Sequence, residues 1–266
     1  MIERKHHSFR WLLLTGLIAI NGADAAPAAI AIIIDDLGYR YEEGNRAVAL
    51  PGPVACAVIP NTPHGASMAA AAHANGKEIL LHLPMQPLDS ERPVGDMGIE
   101  LDTTRPGVTA VLRAGMESVP HVSGVNNHMG SLITRHPGHM TWLMHDLQDH
   151  NLFFIDSVTT ESSVALSMAR EQGVAATRRD LFIDSEQASE DEVLRRLEDL
   201  YALASRRGNA LGIAHPYPVT MAVLERELPR LATRGIRLVS VRQLIALRQE
   251  QADSALTERD ATGASH

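Results

Sequence analysis

Ile30-Ala31-Ile32-Ile33-Ile34-Asp35-Asp36-Leu37-Gly38 is the stretch that decides how the rest of the chain is read. Isoleucines packed this densely, with no polar residue among them, suit a strand covered on both faces rather than one with a wet side. The run then ends on two adjacent carboxylates. Such a pair repels unless a cation or a proton separates the charges. A helix cap explains one of them, by accepting a backbone N–H, but leaves the other without a task. A buried strand and a polar site at its end are therefore read together.

Working outward, residues 54–59 repeat the apolar run, and residues 41–50 between them read as a short helix stopped by Pro51-Gly52-Pro53. Residues 65–75 form an Ala-rich helix with Gly76 as its stop, and residues 78–81 a third strand. Further strands are expected at 123–125, 152–155, 181–183, 211–214 and 237–239. Helices are expected at 105–119, 140–150, 162–172, 190–207 and 221–234. Strand–helix alternation throughout predicts a mostly parallel α/β fold. Seven or eight strands of similar length favour a closed or nearly closed barrel built as one domain over residues 26–248. Residues 86–104 form a loop over one end, and the polar, aperiodic residues 249–266 read as a fraying tail.

Polar residues fall at repeated places in this pattern. Asp35-Asp36, His82, Asn126-Asn127-His128, Asp156, Asp184 and His215 each follow an expected strand. In α/β barrels the C-terminal strand ends converge on one mouth, where active sites lie. Asp184 has an equally good reading as the cap of the next helix. One carboxylate of the aspartate pair with His82 and His128 makes a three-ligand set that suits zinc or another divalent metal and leaves a position open for catalysis. The other carboxylate is a candidate to take the proton of an attacking water, and His215 to protonate the leaving group.

The remaining features bound the function class. Arg4, Lys5 and Arg10, the apolar residues 11–20 and Ala23-Asp24-Ala25 read as an export signal over residues 1–25, which places the working protein in the periplasm. No later stretch is long and apolar enough to span a bilayer. A net charge of −8 with no dense Lys/Arg block argues against nucleic-acid binding. Cys56 is the only cysteine, so no intrachain disulfide forms, and its apolar setting reads as a buried, inert thiol. Aromatic residues are only 4% of the chain, which gives no broad sugar-stacking platform.

At its polar positions the sequence resembles the divergent polysaccharide deacetylase family, a distant branch of the NodB-like carbohydrate esterases. The motifs are Ile34-Asp35-Asp36-Leu37-Gly38, His82-Leu83-Pro84-Met85-Gln86-Pro87, Asn126-Asn127-His128-Met129-Gly130-Ser131, Asp156-Ser157 with Thr159, and Ala214-His215-Pro216. The resemblance implies a distorted (β/α) barrel that hydrolyses N-acetyl or O-acetyl groups on a polysaccharide or peptidoglycan-like glycan. It implies Asp35 as general base, Asp36 as metal ligand with His82 and His128, Asp156 as an orienting group and His215 as acid. Asn127, Gln86 and Ser131 are the expected substrate-binding residues. Two departures stand out. Better-known deacetylases place a second histidine four residues after the first, where this chain has Gln86. Their Arg-Pro-aromatic motif is absent, and Asn127-His128-Met129 lies in its place. Two competing readings are a non-catalytic glycan-binding barrel and a metal-free glycosidase that pairs Asp35 with Asp156 or Asp184.

Overall fold

Every residue from Ala29 to Ile34 is fully buried, and alternate residues face two different apolar clusters. Ile30, Ile32 and Ile34 pack outward with residues from the surrounding helices. Ala29, Ala31 and Ile33 pack inward with Ala55, Ala57, Leu80, Phe153, Ile155, Leu211 and Ile213. A strand with apolar groups on both faces thus has a core on each side, one between sheet and helices and one inside the curl of the sheet.

The computed structural model describes residues 27–89 and 91–263; the export signal expected over residues 1–25 lies outside them. The strands are β1 (Ala28–Leu37), β2 (Ala55–Val58), β3 (Ile79–Met85), β4 (Val122–Met129), β5 (Phe153–Asp156), β6 (Ala176–Arg178), β7 (Leu181–Phe182), β8 (Asn209–Ala214) and β9 (Ile236–Leu238). All pairings are parallel, in the order β6-β5-β4-β3-β2-β1-β8-β7, with β9 against the start of β1. The chain crosses from one edge of this sheet to the other through Arg179-Asp180. The Arg179 N–H donates to the Asp156 carbonyl on one side, and the Asp180 N–H to the Leu211 carbonyl on the other. The result is a single-domain, distorted (β/α) barrel.

The helices are α1 (Tyr41–Ala49), α2 (Gly65–Ala74), α3 (Arg105–Ser118), α4 (Pro137–Asp149), α5 (Ala165–Glu171), α6 (Glu190–Arg207), α7 (Pro218–Glu227) and α8 (Val241–Gly263). Sequence rules account for several ends. The Ser189 side chain accepts from the Glu192 N–H at the start of α6, and Gly208 closes that helix at φ 85°. The helix expected over residues 221–234 is broken: α7 ends at Glu227 and a 3₁₀ segment, Leu228–Arg234, follows, because Pro229 has no N–H for an α-helical bond.

Three further differences matter. β3 and β4 run on to Met85 and Met129, so His82 and His128 lie within strands rather than after them. β6, too short for a periodic signal, was not expected. Residues 249–263 are helical as the continuation of α8, not a frayed tail. Val241, Leu244 and Ile245 plug the bottom of the barrel, and the following residues carry good helix formers with no proline or glycine before Gly263. Among the described residues no helix is long and apolar enough to cross a membrane.

Candidate active site

Period-two alternation carries the inner face of the barrel from apolar below to polar at the mouth. Ile33 is followed inward by Asp35, Leu80 by His82, Gly124 by Asn126 and His128, and Ile213 by His215. The register of β3 against β4 pairs His82 with Asn126. Asp36 breaks the rule, since the residue after an inward Asp35 ought to point outward. The strand solves this with an irregularity: the β1–β2 register shifts between Ile34 and Leu37, and Asp36 takes φ 58°. A bulge with a left-handed residue re-aims the side chain toward the mouth, and such strain is kept where the surrounding fold enforces it.

Asp36, His82 and His128 meet. The Asp36 Oδ1 lies 3.2 Å from His82 Nε2 and 3.1 Å from His128 Nδ1, and the two nitrogens are 3.1 Å apart. Ligands about 2.1 Å from one divalent ion, at tetrahedral to octahedral angles, are separated by about 3.0 to 3.4 Å. The triangle has that size. The Asp36 Oδ1 is buried and accepts no well-formed hydrogen bond. A bound cation satisfies such an oxygen. Burial resists ionisation of Asp36, but His128 and His82 outweigh it and hold the carboxyl well below the usual range. His82 is likewise buried, yet Asp35 and Asp36 raise its affinity for a proton.

The neighbours fix what each group can do. Asn126 is fully buried; its Oδ1 lies 2.9 Å from His82 Nδ1, and its Nδ2 donates to Asp35 Oδ1 at 2.8 Å. The amide therefore takes the proton of His82 Nδ1 and leaves the Nε2 lone pair facing Asp36 and His128. Burial and the Asp36 charge push the Asp35 pKa up, against the pull of His82, His215 and Asn126. Across the mouth, Asp184 Oδ1 sits 2.8 Å from His215 Nδ1, while its Oδ2 accepts from the His215 N–H and the Thr220 hydroxyl. Burial disfavours charge on His215, but Asp184, Asp35 and Asp36 prevail and push its pKa up to about 9. The imidazole lies between the rings of Phe182 and Tyr217, 5.8 and 5.5 Å away. Arg179 stacks 3.6 Å over Phe182 and donates to the Ser157 and Val158 carbonyls.

The divergent polysaccharide deacetylase pattern matches residues 32–245 of this chain. The chain belongs to that family. It is 34% identical over 250 residues to the uncharacterized protein YibQ of Escherichia coli K12, covering 94% of this chain and 76% of the relative. An uncharacterized protein of Agrobacterium tumefaciens C58 has the same fold, with a TM-score of 0.79 at 23% identity over 84% of this chain and 91% of its own. The catalytic domain of a peptidoglycan N-acetylglucosamine deacetylase from Eubacterium rectale shares the fold more distantly, with a TM-score of 0.53 at 13% identity over 81% and 89%.

Against the family motifs, the barrel brings together Asp35, Asp36, His82, His128 and His215, which all border one cavity. Of the other expected site residues, Asn127 also borders this cavity, whereas Asp156, Gln86 and Ser131 do not. Asp156 Oδ1 accepts from the Val158 N–H and its Oδ2 from the Ser163 hydroxyl, so it shapes the loop after β5 and does not border the cavity. Asn127 is fully buried beside the cavity. Its Oδ1 accepts from the Ser157 N–H and its Nδ2 donates to the Met129 carbonyl, so both ends of the amide anchor the loops after β4 and β5. Gln86 Oε1 accepts from the Leu101 N–H and Ser131 Oγ from the Leu88 N–H; both secure the 86–104 loop rather than line the cavity. Cys56 is buried as expected, with its thiol pushed up to about 12 by burial. From the sequence Asn126 stands among the strand-end polar residues without a role, Asp184 reads equally as a helix cap, and Tyr217 and Arg179 are not singled out. The spacing of Asn126 two residues before His128 was the available signal for one shared face.

Proposed function

We propose that this protein is a metal-dependent deacetylase that removes N-acetyl or O-acetyl groups from an envelope or exported glycan. The observation that carries the reading is the triangle of Asp36, His82 and His128 around an unpartnered, buried carboxylate oxygen. These three side chains would hold a divalent cation of the zinc class, which when bound polarises a substrate carbonyl and lowers the pKa of water. Asp35 accepts the proton of the attacking water, and its burial-raised pKa makes it a better base than an exposed carboxylate. Asn126 holds Asp35 and His82 in one frame. His215 delivers a proton to the departing nitrogen or oxygen, and Asp184 keeps its Nδ1 proton in place so that Nε2 faces the cavity.

A glycosidase pairing Asp35 with Asp156 or Asp184 is disfavoured by contacts that already occupy both partners' carboxylates. The decisive experiment follows acetate release from N-acetylated and O-acetylated glycans by the purified protein, with chelator, with zinc restored, and with Asp36→Ala. Activity should fall with chelator, return with metal and be lost in the variant. A protein that takes up no metal and behaves the same after Asp36→Ala rejects the proposal. We further propose that the chain works in the periplasm after export, on the strength of the basic, apolar and small-residue order of residues 1–25. Cell fractionation with N-terminal sequencing checks this, and an intact amino terminus in the cytoplasm rejects it.

A further inference from the structure

Beside His215 a side lobe of the cleft carries two arginines that the proposed reaction does not use. Arg40 sits at the N-terminus of α1 and Arg92 in the 86–104 loop; both are exposed. Neither side chain makes a hydrogen bond or ion pair with the described residues. They border a cavity of about 340 Å³ shared with Tyr39, Glu186, Pro216 and Tyr217. This lobe opens into the cavity over the triad, since Asp36, Arg92, His128, His215 and Tyr217 border both.

The charge of the lobe runs against that of the chain. The protein carries a net −8, yet here two guanidinium groups meet one exposed carboxylate, Glu186, and Asp36, whose charge a bound cation would offset. An unpaired guanidinium presents a planar fork that fits a carboxylate through two parallel hydrogen bonds. Next to it are the kinds of surface a sugar ring covers: Tyr39, 60% exposed, and the half-buried Tyr217. We propose that this lobe seats a carboxylate-bearing sugar adjacent to the acetylated one, with Arg40 and Arg92 binding the carboxylate and Tyr39 and Tyr217 the ring. The proposal rests on the deacetylase reading for the position of the acetylated sugar. A uronic acid and a lactyl-ether amino sugar both present the required group.

The test is calorimetric binding to the metal-loaded full chain of three N-acetylated oligosaccharides of equal length: one neutral, one with uronic acid and one with lactyl-ether residues. At low salt at least one carboxylated glycan should bind about 10-fold more tightly than the neutral one, with the advantage shrinking as salt is added. Arg40→Ala or Arg92→Ala should each cut that advantage to about 3-fold and the double variant abolish it, while neutral-glycan affinity stays within about 2-fold. Arg40→Gln and Arg92→Gln replace any alanine variant that fails to fold by circular dichroism. Equal affinity for all three glycans, binding of none, or a preference that survives the double variant overturns the proposal. Acetate release is read separately. Carboxylate preference without acetate release rejects the deacetylase reading and keeps the lobe; equal binding with acetate release rejects the lobe alone.

Discussion

Asn126 touches both halves of the site, one amide atom on His82 and the other on Asp35. Asn126→Ala should lower metal affinity about 10- to 100-fold, the cost typical of losing a group that orients a metal-bound histidine. Metal titration monitored by calorimetry measures it. Asn127→Ala is the matched control: it releases Met129 and Ser157 from their anchors, so the melting temperature should drop while metal affinity changes much less. Equal loss of affinity in both variants contradicts the assignment. His215 provides a second prediction at this scale. Its pKa is raised to about 9, so its contribution to stability is complete below the unfolded value near 6.5 and is lost as pH climbs through about 9. Asp184→Asn removes the main support for the charge. In metal-free protein the gap in unfolding free energy between wild type and variant should be widest near pH 6 and close toward pH 10. In the loaded enzyme the alkaline limb of kcat should move to lower pH. A gap that does not change with pH shows that Asp184 does not hold a charged imidazole.

Strands β1, β3 and β4 do more positioning than the loops that follow them. Much of this was legible, because the apolar runs located the strands and their polar ends located the mouth. What the sequence hid was direction. Asp35 and Asp36 are neighbours, so plain alternation sends them to opposite faces, and nothing in the residue types announces a bulge. The extensions of β3 and β4 were missed for a related reason: His82, Asn126 and His128 face a polar cavity, so the strand ends lose the apolar signature that marks their starts. The bulge in β1 is followed by Gly38 at φ 123°, in a region open essentially to glycine, and a Cβ there would fall on the Thr62 hydroxyl. Gly38→Ala should therefore cost about 2 to 4 kcal/mol in urea unfolding, from backbone strain plus the clash. Adding Thr62→Ala should recover the steric part only, because the backbone strain stays. Full recovery in the double variant removes φ from the explanation.

At the scale of the whole molecule, the two edges of the curled sheet, β6 and β7, are not paired with each other; the chain passes between them in a narrow seam, and α8 guards it. β7 falls within the strand expected over 181–183, but β6, with three residues, gives no periodic signal, and α8 lacks a long amphipathic stripe because only its first turns pack. Arg248 on that helix donates to Asn209 Oδ1 of β8, to Thr177 Oγ1 and the Arg178 carbonyl of β6, and pairs with Asp180 in the link between β6 and β7. One guanidinium thus spans the seam from edge to edge, and it is largely shielded from water. Arg248→Ala leaves Asp180 and the Asn209 amide under-satisfied, which should cost about 2 to 4 kcal/mol. Removing residues 252–266 should cost less than about 1 kcal/mol, since the described side chains there are exposed. The seam also predicts which function suffers. Phe182 lies on β7, and Asp184 and His215 just after β7 and β8, whereas the metal triad stands on β1, β3 and β4. Loosening the seam should lower kcat through a misplaced acid while metal affinity holds, a contrast that paired metal titration and acetate-release kinetics on the Arg248→Ala protein would expose. Parallel losses of metal affinity and kcat mean instead that the seam supports the entire mouth, and the two halves of the site do not separate.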